Sequence, residues 1–95
     1  LLGGSMKHKI KDKEFDIVHA KSRQIIELEK QLGHPIAQLD KNPSYESICR
    51  IYTSAIISSS KDPAVTEDWV LDSMEFKDMN IHSEVVAYFL AVDKN

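Results

Sequence analysis

SRQIIELEKQLGHPIAQL, residues Ser22 to Leu39, sets the fold class from which the rest of the chain can be read. Ile25, Leu28 and Leu32 recur at intervals of three and four, while Glu27, Glu29, Lys30 and Gln31 fall mostly on the other side. The spacing predicts an amphipathic helix. Ser22 is the expected cap, Gly33 supplies a left-handed residue past the end, and Pro35 forbids continuation. Beyond that stop, Ile36 and Leu39 offer a short second apolar contact.

Downstream, DKNPSYES combines a polar linker, Asn42 as a cap and Pro43 at the first helical position. The helix it opens is the most regular in the chain. Tyr45, Ile48, Cys49, Tyr52, Ala55 and Ile56 form one stripe, with Glu46, Arg50 and Ser54 away from it. Ile57 lies off the stripe. The polar run SSSKDP closes this helix, and a shorter one is expected from Thr66, with Glu67 and Asp68 suited to its positive end. Trp69, Val70, Leu71, Met74 and Phe76 surround that segment, which is therefore expected to be wedged between neighbours. A last helix, capped near Asn80 and running through Val92, turns Ile81, Val85, Tyr88, Phe89 and Val92 inward and leaves Val86 and Leu90 on the far side.

Upstream, HKIKDKEFDIV alternates Ile10, Phe15 and Ile17 with charges. A two-residue turn at Asp12-Lys13 sets Ile10 opposite Phe15, so a β-hairpin is the favoured reading over a helix continuing from Asp12. The turn lacks the Gly or Asn that tight hairpins prefer. Leu1 to Ser5 read as a vector or processing remnant ahead of Met6, leaving 6–95 as one domain. The expected fold is thus mainly α: a compact bundle of about four helices with a short N-terminal hairpin. Its expected core includes Ile25, Leu28, Leu32, Ile48, Tyr52, Ile56, Trp69, Val85 and Tyr88.

Composition narrows the function classes. The 95 residues carry a formal charge of −3, with 42% hydrophobic and 28% charged residues, as an ordinary globular domain does. Lysines and glutamates are interleaved along the elements, so no basic stripe for nucleic acid is expected. No apolar run reaches the roughly 20 residues that span a bilayer. The single Cys49 closes no internal disulfide and reads as a small buried hydrophobe in a reducing, cytoplasmic setting.

The order of features resembles that of the small tail assembly chaperones of long-tailed bacteriophages and prophages. The likeness rests on a charged segment with Phe15 and Ile17, then IIELEKQLG, a PIAQL tail, a longer amphipathic helix and VTEDWV, and it spans most of Lys7 to Ala91. It implies a helical, non-enzymatic protein that binds the tape-measure protein during tail assembly. No active-site residues come with it.

No cofactor or metal site is expected. His8, His19, His34 and His82 lack ligand spacing and are expected at the surface or in caps. Asp72-Ser73-Met74, followed by Glu75, is similar to the phosphopantetheine-bearing serine of acyl carrier proteins, although a carrier serine opens a long acidic helix and Ser73 lies within or near the end of one. No Gly-x-Ser-x-Gly turn is present, so no catalytic serine is assigned. The expected function is protein binding, with a small regulatory or adaptor domain as the alternative to the tail chaperone. Val86 and Leu90, with Phe89 at the edge and Ile57, are the expected protein-binding surface, for a partner helix or for a second copy in a homo-oligomer.

Overall fold

The computed structural model describes residues 6–36 and 43–91. An antiparallel hairpin of β1 (Met6–Ile10) and β2 (Lys13–Ile17) precedes α1 (Ser22–Leu32), α2 (Tyr45–Ser58), α3 (Glu67–Ser73) and α4 (Met79–Phe89). A short 3-10 turn, Phe76–Asp78, leads into α4. The architecture is the expected one, mainly helical with a short hairpin at its start.

In the hairpin the turn is Lys11-Asp12 rather than Asp12-Lys13, so Ile10 faces Lys13 and Phe15 faces His8. Lys11 takes the positive φ, 56°, that a tight turn demands and that neither Gly nor Asn is present to supply. The slip is two in register. A two-residue shift preserves which side chains share a face, and Ile10, Phe15 and Ile17 are all buried as the alternation required.

Helix α1 begins at Ser22, but the cap position is Lys21, whose backbone N–H is held by the Gln24 side chain. Gly33 ends the helix in the left-handed region at φ 80°, its N–H donating to the Glu29 carbonyl at 2.9 Å. Leu28 is fully buried, whereas Ile25 and Leu32 are only half-buried. Leu39 and Asn42 lie outside the described residues. Ser44 caps α2, its Oγ accepting from the Ser47 N–H at 3.1 Å.

Helix α2, not α1, is the centre of the molecule. The end of α1 flanks the start of α2, and Gln24 at the start of α1 donates to Ser58 Oγ at the end of α2, so the two are antiparallel. Helix α4 runs beside α2 in the same sense: Tyr45 meets Phe76, Tyr52 meets His82, and both C-terminal ends tie to residues 18–20. Those ties are Val18 N–H to Ser59 Oγ and Ala20 N–H to the Phe89 carbonyl, 3.0 and 2.7 Å. Flanked on several sides, α2 buries Ile51 and Thr53 as well as Ile48, Tyr52, Ala55 and Ile56. Cys49, expected inside, is half-buried.

Thr66 caps α3 through the Trp69 N–H, as its sequence predicts. Only Val70 of this helix is fully buried; Leu71 and Phe76 are exposed, Phe76 by 66%. A seven-residue helix has room for one inward row, so the segment lies on the surface and is not wedged. Asp78, not Asn80, is at the cap position of α4. The inward row is His82, Val85, Val86 and Phe89, while Ile81 is half exposed. Val92 lies outside the described residues. The core joins hairpin and helices through Phe15, Ile17, Leu28, Ile51, Val70 and Phe89, among others.

Candidate functional site

Tyr52 sits in the middle of α2, and two imidazoles converge on it. His8 comes from the same face of β1 as Ile10, because strand residues two apart share a face. His82 comes from the first turns of α4. His8 Nε2 shares a hydrogen bond with Tyr52 Oη at 2.5 Å, with the rings edge-on at 89°. The His82 ring is tilted against the phenol, centroid to centroid 4.5 Å.

These rings form the floor of a cleft of about 380 Å³. One wall is β1 with its turn: Lys9, Ile10 and Lys11. The other is the end of α3 and the start of α4: Ser73, Asp78 and Ile81. Residues from both faces of β1 line the cleft, Ile10 from the inner and Lys9 from the outer, so it opens across the outer edge of that strand.

Burial governs the electrostatics. Loss of water around His8 lowers its pKa below the ordinary histidine value, and the nearby charge on His82 in its protonated form adds to this. His82 is also lowered by burial, with Asp78 opposing. Tyr52 is raised, again first by burial and then by Asp78. Near neutral pH all three rings are therefore uncharged. His82 Nδ1 is buried without a hydrogen-bond partner among the described residues, so a proton added there gains no acceptor.

The expected binding surface does not form. Val86 is 7% exposed and Phe89 fully buried, and Leu90 packs partly buried against the core. α4 lies between α2 and the hairpin, which makes its buried arc wider than a single stripe. Ile57 is exposed but sits elsewhere, in a shallow groove with Gln31, Arg50 and Glu67. His8 and His82 are not surface histidines either. The alternation placing His8 two before Ile10, and the three-residue step from His82 to Val85, were the available signals. His19 is exposed, stacked on Tyr88 at 4.4 Å with its Nδ1–H donating to the Tyr88 carbonyl.

Ser73, the candidate carrier serine, is the last residue of α3, and its hydroxyl donates to the Trp69 carbonyl at 2.7 Å. Among the described residues no group of three His, Cys, Asp or Glu side chains is placed to hold a metal ion. No helix among them is long and apolar enough to cross a membrane. Comparison of the chain with protein-family models, curated proteins and solved structures gives no match.

Proposed function

We propose that this chain is a non-enzymatic protein-binding module, and that its partner is the tape-measure protein of a bacteriophage tail, met in the cytoplasm of the bacterial host. The observation that carries the binding reading is the exposure of large apolar side chains on several elements: Ile26 on α1, Ile57 on α2, Leu71 on α3, Phe76 in the 3-10 turn and Ile81 at the start of α4. Phe76 is the most exposed of these, and its ring stands edge-on to Tyr45 at 4.8 Å. A partner that covers such side chains gains the free energy of their removal from water. The tape-measure assignment rests on the sequence resemblance, in which a charged segment with Phe15 and Ile17, IIELEKQLG, a PIAQL tail, a longer amphipathic helix and VTEDWV follow one another in order.

A regulatory or adaptor domain is the alternative and shares the mechanism. The experiment that separates them is co-expression with a tape-measure protein followed by affinity capture. A stable complex, weakened by Phe76→Ser, supports the assignment; no complex with any tape-measure segment removes it. The carrier reading has its own test. Incubation with a promiscuous phosphopantetheinyl transferase and coenzyme A is expected to leave the mass unchanged, and an addition lost in Ser73→Ala overturns the binding module.

A further inference from the structure

We infer that the free edge of β1 is a docking site for an extended, acidic segment of a partner protein, which adds to the hairpin as a third strand. The inference rests on the protein-binding reading and adds a second surface to it, one that shares only Ile81 with the exposed apolar side chains named above.

Backbone groups come first. In an antiparallel pair, directly opposed residues alternate between those that exchange hydrogen bonds and those whose N–H and C=O point away. Ile10 and Lys13 close the two-residue turn, so the bonded pairs are Ile10 with Lys13, His8 with Phe15 and Met6 with Ile17. Lys7 and Lys9 on β1, and Glu14 and Asp16 on β2, therefore turn their backbone groups outward. Val18 N–H, next in that alternation on β2, does point outward, since it donates to Ser59 Oγ.

The two edges differ. Beyond β2 lies the loop from Ser59 to Val65, tied to the strand by the Lys13–Asp62 ion pair at 2.7 Å. Beyond β1 lies the cleft over Tyr52, whose far wall is Ser73, Asp78 and half-exposed Ile81. Among the described residues no backbone group bonds the outward positions of β1. Neighbouring strands lie about 4.8 Å apart, so an added strand occupies this cleft.

Charge selects the occupant. Lys7, Lys9 and Lys11 follow one another on the outer face and turn, with no acid on the strand. Lys7 is bonded to Asp16 in an exposed pair, and Lys11 reaches toward the Trp69 ring at 6.0 Å. Lys9 holds no ion pair among the described residues. A second copy laid antiparallel on β1 sets lysine beside lysine, which is how natural sheets deter self-pairing at an edge. A partner strand with acids on its outer face meets the lysines instead. Its inner face meets Ile10 and Ile81, where the Asp78 carboxylate disfavours another acid. The partner is thus an alternating segment, acidic on one side and apolar on the other, recognised by main-chain bonds as in strand addition.

The test uses the full chain and a capped heptapeptide, Thr-Glu-Val-Glu-Val-Glu-Thr, followed by amide NMR and hydrogen exchange. Slowed exchange at Lys7 and Lys9, with shifts confined to β1 and the cleft walls, is expected. The same peptide methylated on alternate backbone nitrogens, and one with lysine for glutamate, are expected not to bind. The double variant Lys7→Glu with Lys9→Glu is expected to weaken binding by at least about tenfold, through like-charge contact, while its amide spectrum stays that of the folded hairpin; a lower melting temperature is expected from the charges it sets opposite Asp16 and Glu14. Absence of binding, equal binding of the methylated peptide, or shifts centred on β2 overturns the proposal. So does concentration-dependent dimerisation that the double variant abolishes, because the edge then belongs to a second copy. Undiminished capture of a tape-measure fragment by the double variant refutes the edge while leaving the binding module intact; loss of that capture alone, with the peptide still bound, refutes the tape-measure partner.

Discussion

Tyr52 and His8, 44 positions apart in sequence, share a 2.5 Å hydrogen bond that fastens the hairpin to the central helix. The bond is half-buried, and its neutral state depends on the absence of a proton on His8. Loss of one partner leaves the other inside without an equivalent. Tyr52→Phe is therefore expected to destabilise the fold by about 1 to 3 kcal/mol. Urea melts of the two proteins check it, and a loss below about 0.5 kcal/mol would place the bond on the wet surface.

The same cluster makes stability depend on pH. His8 and His82 both have folded pKa values below the ordinary 6.5, because burial disfavours their charged forms. For a base lowered on folding, the unfolded chain binds more protons, so the contribution is complete above 6.5 and is lost as pH falls through that value toward the folded one. The midpoint of urea unfolding is expected to drop between pH 7.5 and 5.5. His82→Gln should flatten the drop; an equally steep profile in that variant assigns the titration to other groups.

Val86 and Ile57 give opposite expectations, though both are aliphatic residues off their helices' simplest stripe. Val86 is buried on α4 and Ile57 is 40% exposed on α2. Val86→Ser is expected to cost more than about 2 kcal/mol, from lost burial and an inserted hydroxyl, and Ile57→Ser less than about 0.5 kcal/mol. Thermal melting distinguishes them. Leu28→Ala, at the one fully buried position of α1, belongs with Val86 and should cost about 2 to 5 kcal/mol.

Two left-handed positions also oppose each other. Gly33 has φ 80° and open space where the methyl group of an alanine would stand, so Gly33→Ala costs backbone strain alone, about 1 kcal/mol. Lys11 has φ 56° and already bears that strain, so Lys11→Gly is expected to stabilise by a few tenths up to about 1 kcal/mol. Equal effects of one sign in denaturant melts contradict this assignment of strain.

Much of the fold was legible because it depends on neighbours a few positions apart. Alternation of Ile10, Phe15 and Ile17 with charges set the hairpin's inner face, Gly33 followed by Pro35 ended α1, and Thr66 ahead of two acids began α3. Such signals need only the strand period, the helix period and the chemistry of a cap. The hairpin's register needed more, since a slip of two keeps the same faces and only the turn that Lys11 accepts chooses between them.

What tertiary structure alone decided was which side of each helix is covered, and by what. A stripe read from sequence assumes one neighbour, but α2 has α1 antiparallel against it, α4 parallel beside it and α3 and β2 in further contact, so Ile51 and Thr53 go inside with the rest. For the same reason Val86 is core and Ile81 is not. The site could not be read from His8 and His82 themselves, because their spacing along the chain carries no relation to Tyr52. That relation exists only once the hairpin and α4 close on the central helix, burying His82 and half-burying His8.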